Sequence, residues 1–201
     1  WTFNDKDTEG DTSLDIWGNS NATINGATTG ASGISTTYES QESYSFDGNG
    51  DYVQANGVSP GDSFSVSTWI YPLSQESTIF RNDDSNGLRL SIRFNDNIGI
   101  NAGDISAVDF GGISYDTAYH TVLTVENTGG NDYDIVLYID GTQLGSTSIT
   151  TSNLNPSDFR FGEAYGGKSF EGRLDDPRVY NRVLDTTEVS NLYNSGSING
   201  E

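Results

Sequence analysis

Oxygen donors crowd three stretches of the chain. Asp5, Asp7, Glu9 and Asp11 surround Gly10, Asp15 and Asn19 flank Trp17 and Gly18, and Asp175 and Asp176 interrupt a run that otherwise reads as strand. Clustered carboxylates and amides in glycine-rich loops suit calcium, which takes about six to eight oxygen ligands. The first cluster opens like an EF-hand loop, but its twelfth position is Ile16 where a bidentate glutamate would stand, so no EF-hand is expected. Asp175 shares the parity of Val179 and is expected to point inward, where a carboxylate must pair with an arginine or bind a metal. Sugar binding needs other groups: flat rings for C–H faces and directed polar atoms for hydroxyls. Trp17, Tyr115 and Tyr165 lie in Gly/Ser/Asp-rich stretches, as do Arg81, Asn82 and Asp83, and these are the candidate ligand contacts on loops at the rim of the fold. For each ring, a plug over the core is the competing reading.

Nucleophilic chemistry finds little support. With one histidine, a Ser-His-Asp triad could use only His120, which sits in a strand pattern beside Tyr119 and reads as structural. The same count excludes a zinc site, and the absence of cysteine excludes disulfides and thiol nucleophiles.

Charge narrows the partners. Against 29 Asp+Glu the 201 residues carry only 9 Lys+Arg, a formal charge of −20. That field repels phosphate backbones and anionic headgroups, so neither nucleic acid nor a membrane surface is an expected partner. Lys6 and Lys168 are the only lysines and Asp exceeds Glu, a pattern expected of salt-loving organisms. Hydrophobic residues make up 33% and mean hydropathy is −0.52. The 11% of aromatics nevertheless supply a core, so a folded domain is expected. No run is long and apolar enough to span a membrane and no basic-then-apolar leader opens the chain, which reads as one domain over 1–201 taken from a larger surface or secreted protein. Asn21-Ala22-Thr23 is the single glycosylation sequon.

The elements that must position these groups are short strands. Alternation marks 43–46 and 51–55 around Asp47 to Gly50, then 63–71, with Phe64, Val66, Thr68 and Ile70 on one face and Trp69 on the other. Over 88–94, Leu88, Leu90, Ile92 and Phe94 alternate with Arg89 and Arg93, which predicts all four apolar side chains inside and both arginines outside. Further runs span 119–126, 134–140, 143–149, 157–162 and 169–181, with a tight hairpin at Asp140-Gly141. About twelve to fourteen strands are expected in all. Asp185 and Glu188 form a capping box, predicting one short C-terminal helix with Leu184, Val189, Leu192 and Tyr193 inward. The expected fold is all-β, a two-sheet antiparallel β-sandwich.

Six segments in order resemble the laminin-G-like jelly rolls of the concanavalin A-like superfamily. They are Tyr44 to Val53 (YSFDGNGDYV), Phe64 to Pro72 (FSVSTWIYP), Tyr119 to Val122 (YHTV), Tyr138 to Gly141 (YIDG), Gly172 to Leu184 (GRLDDPRVYNRVL) and Glu188 to Tyr193 (EVSNLY). Departures are Trp17 for a small polar residue, Tyr119 for Trp and Pro177 for Val. The resemblance implies a structural calcium between the opening loop and the last strand, with Asp15, Asn19 and Asp175 as ligands and Asp7 as a further candidate. The alternative is that Asp15 and Asn19 only bond their own turn. Catalytic members are glucanases with alternating strand carboxylates, and the nearest string here, Glu9 to Leu14, lacks the third acid. The expectation is therefore a non-catalytic extracellular, cell-surface or virion-surface module for adhesion. Its partners would be a glycan or glycoprotein and neighbouring domains of the same protein. Trp17 and Tyr165 are the leading contact pair. The rival is an assembly or decoration domain that makes protein contacts and binds no sugar.

Overall fold

The computed structural model describes residues 1–16, 18, 20–34, 42–82, 87–102, 107–151, 154, 156–163 and 168–195. The chain runs through β1 (Thr8–Glu9), β2 (Thr12–Ser13), β3 (Ala22–Asn25), β4 (Thr28–Ser32), β5 (Glu42–Asp47), β6 (Tyr52–Asn56), β7 (Phe64–Pro72) and β8 (Ser77–Asn82). It continues as β9 (Arg89–Ile92), β10 (Asn97–Asn101), β11 (Val108–Gly112), β12 (Tyr119–Gly129), β13 (Asp132–Ile139), β14 (Thr142–Thr150), β15 (Asp158–Phe161), β16 (Glu171–Tyr180) and helix α1 (Thr186–Ser195). All pairings are antiparallel, in a nine-stranded sheet ordered β1-β2-β3-β6-β15-β8-β9-β10-β11 and a seven-stranded sheet ordered β14-β13-β12-β7-β16-β5-β4. The expected all-β sandwich with one terminal helix is what forms.

Alternation fills the space between the sheets. Phe64, Val66 and Ile70 of β7 join Leu123 and Val125 of β12 and Leu174 of β16 in the same core as Phe80, Leu90 and Phe161 from the opposite sheet. Burying each of these side chains contributes roughly 1.5–3 kcal/mol. Connections obey their turn chemistry. Asp140 (φ 50) and Gly141 (φ 75) both take the left-handed conformation that a two-residue type I′ hairpin demands.

The outer face of the seven-stranded sheet is covered by α1, and Leu184 just before it packs with Val189 and Leu192 on Val122, Tyr138 and Tyr180. Its capping box forms as expected. Asp185 Oδ1 accepts from the Thr187 and Glu188 amides at 2.8 and 2.9 Å, and Glu188 Oε2 accepts from the Asp185 amide at 2.9 Å.

Two side chains point elsewhere than alternation predicted. β16 bulges between Asp175 and Arg178, with Asp176 left-handed at φ 49. Asp175 therefore pairs with Trp69 while Val179 pairs with Val66, and the two face opposite sides. Asp175 is fully buried, but on the face covered by α1 and not between the sheets. Phe94 is the second case. β9 ends at Ile92, and Phe94 enters a 3-10 turn whose next two residues, Asn95 (φ 59) and Asp96 (φ 62), are left-handed. The turn removes its ring from the core row and leaves it 61% exposed.

Candidate functional site on the nine-stranded sheet

Register assembles a polar row on the outer face of this sheet. Thr23, Gln54, Arg160, Arg81, Arg89 and Asn101 pair in succession across β3, β6, β15, β8, β9 and β10. Their chain neighbours Ile24, Val53, Phe161, Phe80, Leu90 and Ile100 make the matching row inside. Packing of the apolar row thus holds three arginines side by side on the other face. Arg160 is well partnered, donating to Glu163 at 2.9 Å and to Gln54 at 2.6 Å, with its guanidinium 4.2 Å from the Tyr52 ring centre.

At the β9–β10 end lies a pocket of about 90 Å³ lined by Arg89, Ser91, Arg93, Asn101, Lys168 and Glu76, with Phe94 beside them. Asn101 Oδ1 accepts from Arg89 Nη2 at 3.1 Å and from Arg93 Nη1 at 2.8 Å. Arg93 Nε also pairs with Asp109 at 2.8 Å, and Lys168 with Glu76 at 2.7 Å. Burial, with the neighbouring Arg93 and Arg81 charges, pushes the Arg89 pKa down.

The turn that carries Phe94 is braced from outside the sheet. The Asp96 carbonyl accepts from the Ile113 amide at 2.8 Å, and its carboxylate accepts a short hydrogen bond from the Tyr115 hydroxyl. Burial and the Asp96 carboxylate push that hydroxyl up to about 12. Tyr115, a candidate ligand ring by sequence, is placed as a support for the turn. Asn82 ends β8 buried on the inner face, where it pairs with Phe159, and not in a rim loop as its surroundings suggested.

The opening turn lies at a second pocket of about 170 Å³, lined by Trp1, Asp15, Ser20, Val58, Arg178 and Tyr180. Asp15 accepts from the Gly18 amide at 2.8 Å and the Ser20 amide at 3.1 Å, so both oxygens close its own turn. Asp7 accepts from the Thr2 hydroxyl at 2.5 Å. Arg178 faces the pocket and is held by Asp176 through Nε (3.1 Å) and Nη2 (2.8 Å). Among the described residues no three of His, Cys, Asp and Glu come together as a metal cage, and Arg178 brings positive charge to the Asp15 pocket. These residues do not by themselves fit a calcium ion. Trp17, Asn19, Asp83 and Tyr165 lie outside the described residues.

His120 occupies the opposite face of the molecule. Its ring centre is 5.1 Å from that of Trp69 and 6.3 Å from that of Tyr193, and burial, reinforced by Arg178, pushes its pKa down to about 3. A histidine so placed is neutral and enclosed, as its structural reading expected.

Residues 47–190 match the concanavalin A-like lectin/glucanase superfamily, and the chain belongs to it. Among solved structures, the binding domain of Paraclostridial Mosquitocidal Protein 1 is similar at 22% identity and TM-score 0.73, over 94% of this chain and 51% of that one. The chain thus spans about half of that domain's length. Domain 4 of AbnA, an extracellular arabinanase from Geobacillus stearothermophilus solved with arabinotriose, is similar at 22% identity and TM-score 0.72, over 96% of both chains. Trypanosoma rangeli sialidase is similar at 18% identity and TM-score 0.73, over 94% of this chain and 31% of the enzyme. These likenesses show the shared fold. No curated protein sequence matches the chain.

The sequence did not single out Arg89, Asn101, Lys168 or Phe94. One signal was available: five of the nine basic residues (Arg81, Arg89, Arg93, Arg160 and Lys168) fall between positions 81 and 168, yet only the fold, through strand pairing for Arg81, Arg89 and Arg160 and through the pocket for Arg89, Arg93 and Lys168, brings them together.

Proposed function

We propose that the chain is a non-catalytic carbohydrate-binding module acting outside the cell in adhesion or attachment. The observation that carries this reading is the exposed Phe94 ring, held by a braced turn beside hydrogen-bonding side chains on the outer face of the nine-stranded sheet. A ring there offers a stacking surface, and Ser91, Asn101 and Arg93 offer directed partners for hydroxyls. Membership of a lectin/glucanase superfamily and the likeness to a binding domain and to an arabinotriose-bound domain support it. Among the described residues Glu76 is the one carboxylate lining the pocket, where the paired acids of glycoside hydrolysis would be two.

One shallow contact of this kind gives millimolar to high-micromolar affinity, roughly 4–6 kcal/mol, so attachment would depend on many copies. A glycan array with multimerised protein tests the reading: wild type binds a defined set of sugars, and Phe94→Ala, still folded, loses them. Retention of the full signal by Phe94→Ala removes this site, and an array with no signal favours the assembly role. The rim contact of Trp17 and Tyr165 is a separate proposal, tested by Trp17→Ala and Tyr165→Ala in the same format. Structural calcium is likewise a proposal. It needs Asn19 or further oxygens to complete what Asp15 begins, and it predicts a lower melting temperature on chelation at fixed ionic strength.

A further inference from the structure

The pocket beside Phe94 differs from a generic sugar site in the sign of its charge. On a chain of net charge −20, three of the described side chains lining it are cationic and one is anionic. The cations are not equally matched. Lys168 has Glu76 and Arg93 has Asp109, whereas the one hydrogen bond of Arg89 goes to the neutral oxygen of Asn101. Arg89 Nε is buried without a hydrogen-bond partner among the described residues. A partly buried guanidinium beside two like charges keeps its proton at an energetic cost, which an arriving anion offsets.

We propose that this pocket receives the carboxylate of a uronic-acid residue in a glycan, with Arg89 as the pairing group and Phe94 against the sugar ring. The inference rests on the carbohydrate-binding reading and narrows it to acidic sugars. Size supports the division of labour. The pocket of about 90 Å³ admits a carboxylate, and the sugar ring that bears it can then lie against the exposed Phe94. The planar fork of arginine matches the two oxygens of a carboxylate, and such charge-assisted bonds are stronger than neutral ones. Arg93 and Lys168 add attraction without giving up their carboxylates. The net charge of −20 disfavours a polyanion over most of the chain, so an acidic glycan gains most where cations gather.

The test is titration of the whole chain with three oligosaccharides of equal length: a galacturonate, its neutral galactose counterpart and a sulfated galactose. Wild type is expected to bind the galacturonate at least about tenfold more tightly than the neutral sugar, with the difference shrinking at molar salt. Arg89→Gln is expected to abolish that preference, and Arg89→Lys, which keeps the charge but not the fork, to retain part of it. Equal wild-type affinity for charged and neutral sugars overturns the inference and leaves the carbohydrate-binding reading standing. Preference for the sulfated sugar alone also overturns it, since the fork would then not be reading a carboxylate. Failure of wild type to bind any of the three overturns both for this site.

Discussion

His120 shows how a titratable side chain on this scaffold becomes a structural one. Trp69 and Tyr193 enclose it, and its pKa falls from 6.5 to about 3, so the folded state holds it neutral where the unfolded chain would protonate it. The unfolded state then binds more protons at every pH between those two values. The His120 contribution is complete above about pH 6.5 and is lost as pH falls toward 3, at up to about 1.4 kcal/mol per pH unit. Thermal melts from pH 7 to pH 4 should show a shallower decline for His120→Gln than for wild type; parallel curves would mean that the ring is less enclosed. Phe94 is the opposite case. Read by alternation it belongs to the core, and the two left-handed residues after it put it in solvent. No propensity of Asn95 or Asp96 announces that outcome strongly enough, because a strict apolar period continued through Phe94 itself.

Among the elements, β16 holds the seven-stranded sheet together by pairing with both β7 and β5. Gly172 makes that pairing possible. At φ +140, a Cβ added there would stand 2.2 Å from the Tyr71 carbonyl oxygen, with Phe170 at 3.1 Å. Gly172→Ala is expected to cost at least about 2 kcal/mol in chemical denaturation, and a neutral result would show that β16 can shift past β7. Leu192→Ala, which empties the buried contact of α1, is expected to cost about 2–5 kcal/mol by the same measurement. The sequence made these elements legible through alternation, the Asp140-Gly141 turn and the capping box, since each is a local signal. It could not reveal β8, buried at every one of its six positions, because a strand covered on both faces has no alternation to read. Nor could it reveal the bulge that turns Asp175 toward Trp69, because parity counting assumes an unbroken ladder. The candidate site was hidden for a related reason. Most of its lining falls between Arg89 and Asn101, but alternation put Phe94 in the core, the β9–β10 pairing alone sets Asn101 beside Arg89, and only the fold brings Glu76 and Lys168 to them.

On the scale of the whole molecule, charge is the dominant property. A net −20 on a 201-residue chain destabilises the compact state by self-repulsion at low salt, and a screening length near 3 Å at about 1 M salt removes most of it. Melting temperature is expected to rise substantially from low to molar NaCl; a flat response would mean that the acidic surface is already balanced by its local pairs and would remove the argument for a high-salt habitat. Against that surface, the outer face of the nine-stranded sheet gathers three of the nine basic residues, Arg89, Arg93 and Lys168, around an exposed ring. The proposed acidic-sugar contact thus lies on a basic patch of an otherwise strongly acidic chain. The most direct measurement is the chemical-shift response of the backbone amides to an added oligosaccharide that binds on the array. Perturbations confined to Ser91 to Asn101 and Lys168, and absent in folded Phe94→Ala, are the result this account predicts. Perturbations centred on the opening turn near Asp15, or none at any concentration reached, would contradict it.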